Sequence, residues 1–153
     1  MKLIPIREKS IAPTKLCVMV HEQTLEYYKI IGYNEPWISY YFQVADNIVG
    51  ICSFKGKPDS ANRVEIAYWT FEQYQGKGYG SKMCAMLLEI TNAYDELTVF
   101  AQTMPEVNAS TTILTKNGFL RTGSATDSDV GEVWEWVWKK PTQTVHSVSQ
   151  TEE

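Results

Sequence analysis

Between Arg63 and Ile90 the chain passes from an aromatic and β-branched run to a glycine-rich turn and then to an apolar helical pattern. No other stretch constrains the fold as strongly. Arg63 to Phe71 reads as a strand, and Lys82 to Ile90 reads as a buried helix. Gln73-Tyr74-Gln75-Gly76-Lys77-Gly78-Tyr79-Gly80-Ser81 lies between them. A turn of this kind leaves backbone N–H groups unpaired at a helix N-terminus, where the positive end of the helix dipole favours an anion. Gly76, Gly78 and Gly80 carry no Cβ to hold a phosphate away. Lys77 and Lys82, with no acid between Gln73 and Lys82, add positive potential. The competing reading is a glycine-rich connection that binds nothing. The pattern G-x-x-x-x-G-K-[ST] is absent, because Tyr79 and Ser81 follow Gly78 and Gly80. The fingerprint G-x-G-x-x-G fails too, since Ser81 or Met83 stands where the third glycine belongs.

The flanks supply a sheet. Past Ala12, Pro13 suits the first turn of a helix, and Leu16, Met19, Val20, Tyr27 and Ile31 recur at helical spacing until Gly32, as one long helix or two short ones. Ile38 to Val44 and Ile48 to Phe54 read as a hairpin separated by Asp46-Asn47. Lys55 to Asn62 is a loop. Leu97 to Gln102 reads as a strand and Asn108 to Lys116 as a weak helix stopped by Asn117-Gly118. Phe119 to Thr122 and Val130 to Trp138 read as two last strands joined by a polar loop. The expected fold class is therefore α/β (α+β), a mixed sheet of six or seven strands with about four helices. With 153 residues there is room for one domain, able to bury roughly 68–70% of its unfolded surface. It is placed at 1–140, with the Thr-, Ser-, Gln- and Glu-rich residues 141–153 as a disordered tail.

Composition removes several function classes. A formal net charge of -4 argues against a general nucleic-acid binder. The longest apolar stretch, Met83 to Ile90, falls far short of the ~20 residues of a membrane span. Arg7, Glu8 and Lys9 interrupt any signal-peptide core, so a cytoplasmic protein without a membrane partner is the expectation. Cys17, Cys52 and Cys84 have neither a disulfide framework nor a metal spacing and read as buried thiols. With only His21 and His146, no metal site is expected.

The turn matches Q/R-x-x-G-x-G/A in Gln75-Gly76-Lys77-Gly78-Tyr79-Gly80. This resembles the pyrophosphate-binding signature of the GNAT family of N-acetyltransferases. Val64 to Thr70 resembles that family's central strand. Asn108-Ala109-Ser110 through Ile113-Leu114-Thr115-Lys116-Asn117-Gly118-Phe119 is similar to its second block, N-x-x-S followed by V-L-E-K-x-G-F, especially in the branch of ribosomal-protein N-terminal acetyltransferases. Two departures stand out. Val107 occupies the family asparagine position, leaving Asn108 one place late with a helix N-cap as its other reading. Leu114 stands where many members carry a tyrosine.

The resemblance implies a mostly antiparallel sheet with a splayed parallel strand pair, into which the pantetheine arm of acetyl-CoA, the implied cosubstrate, enters. Backbone groups of Tyr68, Trp69 and Thr70 would pair with that arm. Gln75, Gly76, Lys77, Gly78, Tyr79, Gly80 and Ser81 would hold the pyrophosphate, Asn108 would reach the pantetheine and Lys116 the nucleotide. Glu65 is the implied base, acting through water, or a structural carboxylate beside the cleft. Ser110 is a candidate proton donor to the sulfur. The acceptor would be a protein or peptide N-terminus, a polyamine or another small-molecule amine, lying between the first helical segment and the last strands. There Asp127, Asp129, Glu132 and Glu135 would attract a cation, or else belong to a solvated hairpin. On the last strand Trp134, Trp136 and Trp138 share a face, an aromatic stripe that reads as sheet packing. The rival function is a CoA-binding module without catalysis, and the oligomeric state, monomer or homodimer, is left open.

Overall fold

The structure is a computed structural model that describes residues 1–139. The tail at 141–153, the domain limit at 140 and His146 lie outside the described residues. The elements run β1 (Lys2–Pro5), α1 (Lys15–Ile31), β2 (Ser39–Val44), β3 (Asn47–Phe54), β4 (Arg63–Thr70), α2 (Tyr79–Ile90), β5 (Thr98–Thr103), α3 (Ala109–Lys116), β6 (Leu120–Asp127) and β7 (Gly131–Lys139). Single 3₁₀ turns lie at Glu72–Tyr74 and Thr91–Ala93. The seven strands form one sheet in the order β1-β2-β3-β4-β5-β7-β6. Only β4 and β5 are parallel, and they pair over three positions alone, Arg63 with Thr98, Val64 with Val99 and Glu65 with Phe100. Beyond Glu65 the two strands part.

Alternation along the strands divides the core. Phe42, Cys52, Ile66 and Val99 meet Met83, Cys84 and Leu87 of α2 and Leu114 of α3 on one face. Tyr41 and Phe71 meet Cys17 and Val20 of α1 on the other, together with Ile6. Burial also pushes the thiol of Cys84 up to about 12 and raises that of Cys52. All three cysteines are free and buried, as their spacing predicts.

Several boundaries differ from the sequence reading. The first helix is a single one, and Thr14 rather than Pro13 opens it, its Oγ1 accepting the Cys17 N–H at 3.1 Å. The hairpin turns at Ala45-Asp46, so Asn47 already pairs with Val44. β1 is too short to show a period; it pairs with β2 at the sheet edge, where a terminal Pro5 is tolerated although it has no N–H to donate. The loop expected from Gly123 is strand: β6 runs on to Asp127 and pairs with β7 as far as Gly131. β6 is an exposed edge strand, so no buried face imposes an apolar alternation on it. Trp136 is buried and donates from Nε1 to Thr103 Oγ1 at 3.0 Å, while Arg121 lies 4.1 Å over the Trp134 ring. The aromatic stripe is packing, as expected.

Candidate active site

Where β4 and β5 part, a groove opens beside α2 and α3, and a cavity extends from Ser110 and Leu114 of α3 through the gap to Glu65 and Ala67. The groove, about 610 Å³, is bordered by Tyr68, Trp69, Thr70, Gln75, Gly76, Gly78, Tyr79, Gly80 and Ser81, and by Ser110 and Lys116 of α3. Lys77 and Asn108 stand outside this set. Gly78 is the N-cap of α2 in the left-handed region, φ 83°, and no side chain caps the helix. The first-turn N–H groups are left to an external acceptor. A Cβ on Gly76 or Gly78 would meet nothing within 4 Å, so it is the left-handed backbone and not space that calls for glycine there. Gln75 Nε2 donates to the Thr70 carbonyl at 3.1 Å and fastens the turn to the end of β4.

Strand geometry decides which backbone groups face the gap. The Phe71 N–H bonds Val49 and the Glu65 carbonyl accepts from Lys55, both on the β3 side, and the β3–β4 register is unbroken. By alternation Ile66, Tyr68 and Thr70 turn their N–H and C=O toward the gap, whereas those of Trp69 face β3. With the Thr70 carbonyl engaged by Gln75, the free pairing groups there are the Thr70 N–H and both groups of Tyr68.

On the far side, the cavity of about 270 Å³ is walled by Lys55, Glu65, Ala67, Gln102, Asp127, Val130 and Val133, among others. Glu65 Oε2 lies 3.3 Å from Lys55 Nζ. Asp127 accepts the N–H groups of Asp129 and Val130 at 2.7 and 3.1 Å, which holds its carboxyl below the usual range, and the Lys55 charge adds to this. Glu135 accepts from Gln102 Nε2 at 3.4 Å. Asp129 and Glu132 do not border the cavity. Nor does α1, which the sequence suggested as a wall; its tie to the sheet lies elsewhere, through Tyr41 Oη to the Cys17 carbonyl at 3.1 Å.

Groove and cavity share two lining residues, Tyr68 and Ser110. Burial raises the Tyr68 phenol above its ordinary range, with the Ser110 bond acting the other way. Asn108 caps α3, its Oδ1 accepting the Thr111 N–H at 3.1 Å in a reciprocal capping box, so its N-cap reading is the one the structure bears out. Sequence reasoning missed Lys55, which belongs to no motif. It also read Asn117 only as a helix stop, although Asn117 Nδ2 donates to Ser81 Oγ at 3.1 Å and ties α3 to the turn. Among the described residues no cluster of His, Cys, Asp and Glu is suited to a metal ion, and no helix is long and apolar enough to cross a membrane.

Residues 13–120, with the groove and both blocks inside them, match the model of the acetyltransferase (GNAT) domain. The chain is a member of the GNAT acetyltransferase family. No curated protein sequence matches it significantly. Among solved structures, the GNAT fold is shared with the RimL ribosomal L7/L12 alpha-N-protein acetyltransferase, at 15% identity and TM-score 0.69 over 90% of this chain and 91% of that one. The microcin C7 self-immunity acetyltransferase MccE, in complex with acetyl-CoA and AMP, is 16% identical with TM-score 0.66 over 81% and 70%. The aminoglycoside acetyltransferase AAC(6')-Ib, in complex with coenzyme A, is 17% identical with TM-score 0.59 over 76% and 70%. Three such different names on one fold leave the acceptor to be argued from the site.

Proposed function

We propose that this GNAT enzyme transfers the acetyl group of acetyl-CoA to a primary amine, a peptide N-terminus or a small amine, by direct attack in a ternary complex. The observation that carries the reading is the meeting of groove and cavity at Tyr68 and Ser110, which lets a thioester lying in one face an amine held in the other. Gln75 to Ser81 would hold the pyrophosphate on free amides and the α2 dipole. Tyr68 offers the strand-like pairing for the pantetheine amides, and Lys116, which lines the groove, would serve the nucleotide. Lys77 adds charge from outside the lining. Asn108 is committed to its cap and is replaced in this scheme by the backbone of β4.

Acetyl-CoA, when bound, supplies an activated acyl carbon. The protein's part is to align it, to stabilise charge growing on the acyl oxygen and to take the proton of the incoming ammonium. The Thr70 N–H is the available donor to that oxygen. Glu65, on the cavity side, receives the proton through water. The amine nitrogen forms the new C–N bond as the C–S bond breaks, the thiolate leaves with both electrons, and the second proton of the nitrogen passes through water to the sulfur. A thiol of pKa ~8.5 needs little help to leave, so Leu114 in place of a tyrosine does not forbid turnover. Ser110 Oγ would donate a hydrogen bond to the leaving sulfur, which takes its proton through water.

The test is release of free thiol from acetyl-CoA with a panel of amines and N-terminal peptides, for the wild type and Glu65→Gln. Turnover that falls at least about tenfold in the variant, with CoA affinity unchanged, supports the base role. Full turnover by Glu65→Gln across pH 6–9 would remove Glu65 from the scheme, and CoA binding with no acceptor ever acetylated would overturn the function.

A further inference from the structure

The acceptor cavity contains a positive charge that its expected role does not call for. Lys55 follows β3 directly, and its backbone N–H donates to the Glu65 carbonyl at 2.8 Å, which anchors the residue at the foot of the splayed strands. Its ammonium then reaches Glu65 Oε2 at 3.3 Å, with the two side chains 39% and 19% exposed. The same charge acts on Asp127, the last residue of β6, which also lines the cavity. Lys55 thus shares the cavity lining with carboxylates from two separate parts of the sheet and is ion-paired with that of Glu65. The third nearby acid, Glu135, is engaged by Gln102, whose side chain is what borders the cavity. The lining therefore carries one cation against two anions, a net of -1.

A cavity with two carboxylates and no cation would accommodate a dication. Here one of those two places is already filled by the protein itself. The geometry points to Lys55 as the resident cation of the acceptor cavity, a specificity residue that admits acceptors with a single positive charge and turns away diamines and polyamines. This rests on the cavity being the acceptor site. Its physical basis is negative selection: a second ammonium would have to displace Lys55 from Glu65 or share Asp127 with it, and like charges held close are unfavourable. The same argument disfavours a peptide N-terminus with lysine or arginine in its second position.

The discriminating experiment compares wild type, Lys55→Gln and Lys55→Arg with an alkyl monoamine and the α,ω-diamine of the same chain length. Two quantities are read: kcat/KM from thiol release, and calorimetric affinity of each amine for the CoA-loaded protein. Lys55→Gln is expected to raise the diamine-to-monoamine ratio by about three- to fivefold in both readouts. Lys55→Arg, which keeps the charge, should hold the wild-type ratio. A ratio that stays within twofold in Lys55→Gln, or that moves equally in Lys55→Arg, overturns the proposal. Should no amine be acetylated by any of the three proteins, the proposed function fails, and the calorimetric ratio still decides the role of Lys55.

Discussion

Tyr68 Oη donates to the carbonyl oxygen of Ser110 at 3.2 Å and lies 3.4 Å from Ser110 Oγ, joining the middle of β4 to the first turn of α3. The pair spans the boundary between groove and cavity. Because burial raises the phenol's pKa, Tyr68 is a poor proton source for a thiolate whose conjugate acid has pKa ~8.5, and a good holder of Ser110. Tyr68→Phe should keep the fold, since a net hydrogen bond is worth ~0.5–1.5 kcal/mol and each kcal/mol shifts Tm by about 2–4 °C at this size. We expect kcat to fall about tenfold with the CoA affinity within threefold, equally across pH 6–9 because the phenol does not titrate there. Thiol release and calorimetry check both numbers. A wild-type kcat would leave the bond a structural one.

Gly80 sets how closely α3 approaches the phosphate turn. A Cβ at this position would lie 2.7 Å from Ile113 Cδ1. Alanine gains up to ~1 kcal/mol in helix propensity, but overpacking costs ~1–3 kcal/mol, so Gly80→Ala should lower stability and push Ile113 into the groove. CoA affinity is expected to fall. Adding Ile113→Val removes the clashing methyl and should recover both properties. A double-mutant cycle in denaturant with less than ~0.5 kcal/mol of coupling would count against the contact.

What could be read from the sequence was the chemistry that is local in the chain. The turn from Gln75 to Ser81 carries its own glycines, its helix and its charge, so its place in the groove followed from residue order. Period two along β4 separates Glu65 and Ala67 from Ile66 and Tyr68 by residue order alone. Lys55 was not legible, because what matters is its distance to Glu65 and Asp127, which pairing of β3, β4 and the last hairpin creates. The bond from Asn117 to Ser81 is of the same kind. β6 was misread for a different reason: an exposed edge strand lacks the buried face that writes a pattern into a sequence.

Gly78 tests the turn's backbone without the complication at Gly80. Its φ is 83° and a Cβ there would touch nothing, so replacement costs only the left-handed conformation, ~1–2 kcal/mol for alanine. Asparagine tolerates that region better. Gly78→Ala should therefore lose more Tm and more CoA affinity than Gly78→Asn, measured by thermal melts and calorimetry. Equal losses would mean that side-chain bulk against the ligand, rather than backbone strain, decides the position.

Glu35 gives the fold an acid-sensitive tie. Arg7 donates to it from Nε at 2.8 Å and from Nη2 at 3.1 Å, and Tyr33 Oη donates as well. These bonds, the Arg7 one foremost, hold the Glu35 carboxyl down at about 2, from an ordinary value of 4.5. A folded-state pKa below the unfolded one contributes stability that is complete above ~4.5 and is lost as pH falls through about 2. The group is exposed, so the contribution is small and salt-sensitive. The urea midpoint of the wild type should exceed that of Glu35→Gln by a constant margin between about pH 5 and 7, and the two should converge between about pH 4.5 and 2. A margin that persists unchanged to pH ~2, or that shrinks on going from pH 5 to 7, would assign the effect of the substitution to something other than this carboxylate.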